Sequence, residues 1–286
     1  MAPRTGFGLL SRRIRRRWDL LCPMPMPRYL ANTPRAGGSH ELDLFFPPNA
    51  ATLGAAATSA EAGVFVAELL EKLTPSPEVA TQQFFHRWGQ ALFGEHWRYA
   101  DLTSTLWAAA TLIRPNTYLE IGVRRGRSAA VVGALRPECA IYGFDLWVDD
   151  YAGAPNPGPD FVRGELQAAG HRGPVELASG DSKVTIPAFL RAHPDLYFDL
   201  INVDGDHSLI GGATDLANTL PRLKVGGVIV FDDVGGGGPL WRVWQRMVKR
   251  DSRYLSWEFL EAGQGIAAAV RIADEPLLLT RLRGGS

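Results

Sequence analysis

Three aspartates that follow two apolar runs are the residues of this sequence best suited to chemistry. Asp204 follows residues 198–203, and Asp232 and Asp233 follow residues 227–231. A helical apolar pattern separates the runs, which predicts two parallel neighbouring strands joined by a right-handed crossover helix. Such strands end at the same sheet edge, where the three carboxylates meet. Their mutual repulsion favours a bound cation, and oxygen ligands of this kind suit Mg²⁺ or Mn²⁺.

A histidine lies beside this acidic group. His207 is three residues past Asp204, close enough to act as a general base. Taken singly, each residue has a structural alternative: an aspartate at a strand end can cap the next helix, and a histidine at a helix start can make a local hydrogen bond. Capping explains three carboxylates together less well than a metal site does.

A glycine turn, residues 119–128, forms a second candidate site. Glu120 ends the strand before it, Gly122 and Gly126 let backbone approach a ligand closely, and the turn opens a helix near Ser128. A dinucleotide fold requires Gly-x-Gly-x-x-Gly instead. The carboxylate ahead of the glycines favours a cationic ligand over a pyrophosphate.

Acids at the ends of two further strands belong to the same candidate site. Asp145 lies 25 residues after Glu120. From this position an acidic side chain can accept hydrogen bonds from both hydroxyls of a ribose. Gly180, Asp181 and Ser182 end the third strand. A carboxylate there can accept a hydrogen bond from the amino group of adenine.

These motifs resemble those of the class I S-adenosylmethionine-dependent methyltransferases, over about residues 95–272. They are most similar to the branch holding the metal-dependent sugar O-methyltransferases of macrolide pathways. The resemblance implies S-adenosylmethionine as cofactor, held by Glu120, Gly122, Gly126, Ser128, Asp145, Asp181, Ser182 and Asp204. It also implies Mg²⁺ ligands at Asp204, Asp232 and Asp233, with His207 as catalytic base. Val225 replaces the proline usual before the paired glycines, which affects a turn and leaves the site untouched.

The predicted fold class is α/β. Strands alternating with helices from residue 117 predict a doubly wound, mostly parallel sheet of the Rossmann-like methyltransferase type. Residues 257–260 and 265–272 are expected to close it as an antiparallel pair. The methyltransferase domain is placed at residues 101–286.

A helical cap is predicted ahead of this domain, in residues 58–100. Its second helix is expected to pack through Val79, Phe84, Phe85, Trp88 and Leu92. Trp97 and Tyr99 either line a pocket or are ordinary core aromatics. Residues 1–57, rich in arginine and proline, are expected to form an irregular, mobile basic tail.

Composition limits the classes of function. A chain of 286 residues, 46% hydrophobic and 21% charged, is typical of one globular domain with an appendage. Two cysteines cannot build a disulfide framework, and a secretory hydrophobic region is absent, so a reducing, cytoplasmic setting is expected. Eight arginines against Asp19 in residues 1–35 leave the remainder of this net-neutral chain acidic by seven charges. A global nucleic-acid binder is therefore not expected.

Residues 9–21 are the exception within the tail. A helical face made of Leu10, Ile14, Trp18 and Leu21 alternates with arginines, which suits an anionic membrane surface or a nucleic acid. A solvated basic tail is the simpler alternative. A natural start at Met24 or Met26 would remove the segment altogether.

The expected function is divalent-metal-assisted O-methylation of a hydroxyl on a sugar or small natural product. The alternatives are a metal-independent methyltransferase acting on nitrogen or carbon, and a non-catalytic cofactor-binding or membrane-associated protein. A nicotinamide-dependent oxidoreductase is disfavoured by the missing third glycine and by Glu120. The sequence is compatible with a homo-oligomer. It does not specify which molecule accepts the methyl group.

Deletion of residues 1–35 should leave the remaining chain folded, because residues 1–57 lack a sustained apolar pattern. Thermal unfolding of the full-length and truncated proteins would measure this, and we expect the same melting temperature. A large fall on truncation would contradict the assignment of these residues to a tail.

Overall fold

The computed structural model describes residues 50–149, 155–261 and 263–274. The described α-helices are α1 (Ala50–Ala57), α2 (Ala60–Leu70), α3 (Pro77–Phe93), α4 (Leu102–Ile113), α5 (Arg127–Leu135), α6 (Pro159–Ala168), α7 (Ser182–Ala192), α8 (Leu209–Thr219) and α9 (Pro239–Trp244). The described strands are β1 (Thr117–Ile121), β2 (Ala140–Asp145), β3 (Val175–Ser179), β4 (Phe198–Val203), β5 (Leu223–Asp232), β6 (Tyr254–Phe259) and β7 (Ile266–Arg271). The segment 9–21 lies outside the described residues, so what the sequence predicts for it stays a prediction.

The described strands form one seven-stranded sheet in the order β3-β2-β1-β4-β5-β7-β6. Strands β1 to β5 are parallel to one another, and β7 lies antiparallel between β5 and β6. The doubly wound sheet closed by an antiparallel pair is therefore confirmed. The direction of strand addition reverses between β1 and β4, which is where open α/β sheets bind ligands.

Strands β4 and β5 lie near the centre of the sheet. All six residues of β4 are buried, including the polar Asp199 and Asn202, as expected for a strand that is covered on both faces. Side chains of α4 and α5 pack on one face, and those of α7, α8 and α9 pack on the other. Val203 pairs with Phe231 across the two strands. The residues that follow this pair, Asp204 and Asp232, therefore leave the sheet side by side.

The irregular tail predicted for residues 1–57 extends too far, because residues 50–57 form α1. This segment is rich in alanine, the residue with the highest helix propensity, and the prolines that oppose a helix lie before it. Leu53 is fully buried. A Cβ atom on Gly54 would lie 2.2 Å from Nε1 of Trp257, so α1 is packed closely on β6.

Helix α3 buries a different face from the one expected. Of the residues predicted to pack, Val79 is buried, but Phe84, Trp88 and Leu92 are 65%, 51% and 54% exposed. The helix instead buries the side that carries Gly89, where Trp97 lies so close that a Cβ atom would meet its ring at 2.2 Å. Helical periodicity identifies an apolar stripe but not what covers it, and that is why the prediction was wrong.

Within the described ranges, no single helix is long and apolar enough to cross a membrane. Helices α1 and α2 pass that test together, on length and composition alone, with a bend of 53° between them. Both helices contribute buried side chains to the core, among them Leu53, Val66 and Leu70.

The burial of α1 predicts a stability effect. Leu53→Ala should lower the free energy of unfolding by about 2–5 kcal/mol, because it removes a fully buried side chain and leaves a cavity. Phe84→Ala, at an exposed position, should change it by only about 0.5 kcal/mol. Urea unfolding of both variants would measure the difference. Equal effects would mean that α1 is not part of the folded core.

Candidate active site

Two carboxylates and an imidazole meet at the carboxyl end of the sheet. Nδ1 of His207 lies 3.0 Å from Oδ2 of Asp233, and Nε2 lies 3.6 Å from Oδ1 of Asp204. One ligand atom from each of the three side chains lies within 4.8 Å of the others. The structure thus brings three of the predicted site residues together in the geometry of a cation site.

The third predicted metal ligand, Asp232, lies beside them on the same pocket wall. Its Oδ1 accepts a hydrogen bond from the backbone N–H of Asp233 at 2.9 Å. Burial, together with the charges of Asp204 and Asp233, raises the pKa of Asp232 well above its ordinary value. Burial also raises the pKa of Asp204, against the opposing effect of a hydrogen bond with His207. A cation placed among these carboxylates would relieve both effects.

The backbone adopts an unusual conformation at this edge. Asp233, Arg124 and Trp147 have φ angles of 58°, 50° and 53°, although none is glycine. They follow β5, β1 and β2, so all three lie at the carboxyl ends of parallel strands. Such residues cost about 1–3 kcal/mol each and persist where the surrounding structure fixes them, commonly at functional sites.

Gly122 is needed at the glycine turn for a reason the sequence did not reveal. Its φ is 84°, and a Cβ atom would lie 1.8 Å from the carbonyl oxygen of Asp204. The close neighbour is therefore the backbone that follows β4, rather than a ligand. Gly126, with φ of 77°, is the N-cap of α5. Cofactor contacts of these two glycines stay predictions.

Glu120 lies beneath the pocket and is fully buried. It accepts hydrogen bonds from the hydroxyl of Ser128 and from Nδ2 of Asn202, the latter at 3.0 Å. Burial raises its pKa to about 8, although these hydrogen bonds act in the opposite direction. At neutral pH the side chain is therefore mostly protonated. Its charge does not reach the pocket as the sequence led us to expect, whereas Ser128 does line the pocket.

Asp145 joins the turns that follow β1 and β2. Its Oδ2 accepts from the backbone N–H of Arg124 at 2.6 Å, and its Oδ1 accepts from that of Trp147 at 2.5 Å. A carboxylate oxygen can accept two hydrogen bonds. Asp145 therefore retains acceptor capacity for the ribose hydroxyls that it is predicted to bind.

Asp181 and Ser182 already have structural partners. Asp181 is the N-cap of α7 and accepts from the backbone N–H of Lys183 at 2.9 Å. The hydroxyl of Ser182 donates to Oδ1 of the buried Asp215 at 2.7 Å. Adenine binding by these residues stays a prediction.

One pocket connects the cap to the strand ends. Its walls come from the cap, the glycine turn, the acids and the turn between β6 and β7: Gln82, Tyr99, Ala100, Asp101, Leu102, Thr103, Gly122, Val123, Arg124, Arg125, Arg127, Ser128, Asp204, Asp232, Asp233, Gly263, Gln264, Gly265 and Ile266. The predicted residues Gly122, Ser128, Asp204, Asp232 and Asp233 are among them. The sequence analysis missed Gln82, Asp101 and Arg127.

Asp101 is the most strongly bonded of the missed residues. Its Oδ2 accepts from Nε2 of Gln82 and contacts Nε2 of the buried His86, both at 3.0 Å, while its Oδ1 accepts from Ser104 N–H and Thr103 Oγ1. Burial alone would raise the pKa of Asp101, but these partners hold it well below the ordinary value. The Asp101 carboxylate on the pocket wall is therefore ionised at neutral pH. In the sequence, Asp101 is typical of a helix N-cap, which hides this second role.

Tyr99 presents its hydroxyl to the pocket, whereas Trp97 packs behind it. The two rings stack with centroids 5.4 Å apart, and Phe85 meets Tyr99 edge-on at 4.5 Å. Burial, with the charges of Asp101 and Asp232, raises the pKa of Tyr99. The hydroxyl is therefore a neutral hydrogen-bond donor facing the acids. The sequence allowed these two aromatics either to line a pocket or to pack in the core. Tyr99 lines the pocket, and Trp97 packs in the core.

Residues 119–234 match the family model described as "Methyltransferase domain". This range runs from the glycine turn to the residue after Asp233. No curated protein matches the chain.

Several solved structures are similar to this chain at low sequence identity. The O-methyltransferase TomG from Streptomyces achromogenes, involved in tomaymycin synthesis and solved in complex with SAM, is 19% identical with a TM-score of 0.51, over 74% of this chain and 96% of that one. The calicheamicin methyltransferase CalS11 is 24% identical with a TM-score of 0.47, over 74% and 91%. An O-methyltransferase from Bacillus cereus in complex with SAH is 17% identical with a TM-score of 0.46, over 82% and 96%.

The raised pKa of Glu120 predicts a pH dependence of stability. Because its pKa of about 8 in the fold exceeds the ordinary 4.5, the folded protein binds more protons than the unfolded chain between these values. Stability from this residue is fully present below about pH 4.5 and is lost as pH rises towards 8, with a slope of at most about 1.4 kcal/mol per pH unit. Glu120→Gln should flatten this decline.

Urea unfolding at pH 5.5 and 8 would measure the slope. Glu176→Gln, at an exposed glutamate on β3, is the matched control and should keep the slope of the unmodified protein. An identical slope in the Glu120 variant would contradict the burial of a protonated carboxyl.

Proposed function

We propose that the chain is a class I, S-adenosylmethionine-dependent methyltransferase and that it methylates a hydroxyl of a sugar or small natural product with the help of a divalent cation. The observation that carries this proposal is the convergence of Asp204, His207 and Asp233 within 4.8 Å. Hydroxyl methylation requires a means of ionising the acceptor, and this group of side chains supplies one.

The acids suit Mg²⁺ by their chemistry and position. Asp204, Asp232 and Asp233 offer oxygen ligands, which a hard cation prefers to nitrogen or sulfur. Burial and neighbouring carboxylates raise the pKa values of Asp204 and Asp232, and His207 offsets the shift of Asp204 only in part. When bound, the cation would lower the pKa of an acceptor hydroxyl and orient it.

The role of His207 is to take the proton from that hydroxyl. Its ring is 43% exposed and contacts Asp204 and Asp233, which line the pocket, so the base would act on an acceptor held at these two acids. A carboxylate next to the ring stabilises the imidazolium that forms. Tyr99, on the opposite wall, can donate a hydrogen bond to an acceptor oxygen and orient it.

The cofactor would lie across the ends of β1 and β2. Gly122 and Ser128 line the pocket there, and Asp145 stands at the end of β2 with acceptor capacity for a ribose. A cofactor held there would supply the activated methyl group in the pocket that the acids also line. Because the cofactor carries the activated group, the protein contributes chiefly positioning and electrostatics.

Removal of the cation tests the proposal directly. Excess chelator should abolish methyl transfer on an acceptor found by screening with labelled cofactor, and Mg²⁺ should restore it. Binding of S-adenosylhomocysteine, measured by calorimetry, should survive chelation. Full activity in chelator would rule out the metal and favour a metal-independent methyltransferase.

Substitution of His207 tests the base. His207→Ala should lower the rate by about 10²- to 10⁴-fold, with partial recovery at high pH, where the acceptor ionises without a base. Asp206→Asn is the matched control, since Asp206 is exposed and pairs with Lys183 at 3.0 Å, away from the acids. A rate unchanged by His207→Ala would exclude the base role.

A further inference from the structure

Helix α3 exposes a stripe of four large apolar side chains. Phe84, Trp88 and Leu92 follow one another at spacings of four residues, so they share one side of the helix, and Phe85 lies beside them. All four are exposed. The rings of Phe84 and Trp88 stack with their centroids 6.2 Å apart. Single exposed apolar residues are common, but a stripe of this kind marks an interaction surface.

The stripe lies outside the pocket. The opposite side of α3 carries Gln82, which lines the pocket, and His86, which is buried and contacts Asp101 at 3.0 Å. A methyl acceptor held at the strand-end acids therefore leaves the stripe exposed. The surface suits a larger partner that packs along the helix.

The charges around the stripe limit what this partner is. Every fourth residue from Ala80 to Leu92 is uncharged. Arg87, on the flank of the stripe, forms an ion pair with Glu71 of its own chain. An arginine-rich segment such as residues 9–21 would need carboxylates along the stripe, and an anionic membrane would need unpaired basic groups. An apolar, uncharged helix face matches the stripe better.

The stripe itself is such a face, and its order makes it self-complementary. Phe84 lies one turn before Trp88, and Leu92 lies one turn after it. When two α3 helices pack antiparallel about a two-fold axis at Trp88, Phe84 of each copy meets Leu92 of the other. Phe85 then lies opposite the small Ala91. Residues spaced by four are also the ridges that interlock in the commonest class of helix packing.

The area of the stripe is sufficient for a dimer. Aromatic side chains carry about 150–250 Å² each, so the exposed fractions of the four residues amount to about 400 Å² of apolar surface. A specific interface buries at least about 600 Å² on each copy, and about 65% of a homodimer interface is apolar. The apolar part that such an interface needs is therefore about what the stripe supplies.

We propose that the protein forms a homodimer in which the α3 stripes of two copies pack antiparallel about Trp88. Because Gln82 lies on the inner side of the same helix, this contact would also support one wall of each pocket. Phe84 stays exposed only below the dissociation constant of the dimer. The unfolding comparison of Phe84→Ala with Leu53→Ala is therefore made below that concentration.

Sedimentation velocity of the full-length protein tests the dimer. We expect a species of twice the mass of the chain. Trp88→Glu should raise the dissociation constant at least about tenfold, because it replaces an apolar contact by two carboxylates near the axis. Val184→Glu, at an exposed apolar position on α7, is the matched control and should keep the dimer intact. If the glutamate variant does not fold, Trp88→Ala should weaken the dimer in the same direction.

A cross-link tests the position of the axis. In a chain that carries Cys22→Ser, Trp88→Cys should form a disulfide between two copies on oxidation, because a residue at a two-fold axis faces its own equivalent. The remaining cysteine, Cys139, is buried. Val184→Cys in the same background should not cross-link.

Four outcomes would overturn the proposal. A monomer up to about 100 μM would mean that the stripe is too weak to hold two copies. A dimer that both Trp88 variants leave unchanged would have its interface elsewhere. A full-length monomer that dimerises once residues 1–35 are removed would show that the tail covers the stripe. A monomer that floats with anionic vesicles, and no longer does so as Trp88→Glu, would assign the stripe to a membrane.

Discussion

The repulsion of carboxylates at one sheet edge is the constraint on which the rest of the site depends. Asp204 and Asp232 leave β4 and β5 after the paired residues Val203 and Phe231, so the parallel register forces them together. Their pKa values rise because burial and the charges of neighbouring carboxylates disfavour ionisation. In the structure, His207 lies between Asp204 and Asp233 and offsets part of this repulsion. Under the proposed function, a divalent cation bound by these carboxylates would offset the rest of it.

Backbone packing supports this edge as much as side-chain chemistry does. The carbonyl of Asp204 occupies the space that a side chain at position 122 would need. The backbone N–H of Asp204 donates a hydrogen bond to the carbonyl of Ile121 at 2.9 Å. The ends of β1 and β4 are thereby joined at the point where the sheet reverses its order. Asp145 ties the end of β2 to the same turn through Arg124 N–H. The glycine turn thus has a structural role, because it joins these strand ends.

The sequence predicts the sheet well because its signals are local. Apolar runs ended by acids, separated by helical patterns, specify parallel strands, and the strand pairing then follows from chain direction. The cap was harder to predict. The bond between Arg127 and Gln82 spans 45 residues and leaves no local pattern. The burial of Glu120 was missed because a strand-end acid has the same spacing whether it faces the pocket or lies beneath it, and its pKa of about 8 follows only from the packing.

The two walls of the pocket come from different parts of the chain, and we expect them to have different roles. The residues suited to chemistry follow rigid parallel strands, which hold their positions to within small limits. The opposite wall comes from Gln82 and Tyr99 of the cap and from Asp101, which follows the cap, and these residues offer hydrogen bonds and charge rather than a nucleophile or base. A change in the cap would therefore alter which molecules fit without moving the acids. Because Asp101 also caps α4 and pairs with the buried His86, such changes are tolerated best at Tyr99, whose hydroxyl faces the pocket and whose ring alone is packed. Selection of the acceptor is thus expected to depend on the cap, and the transfer step on the strand ends.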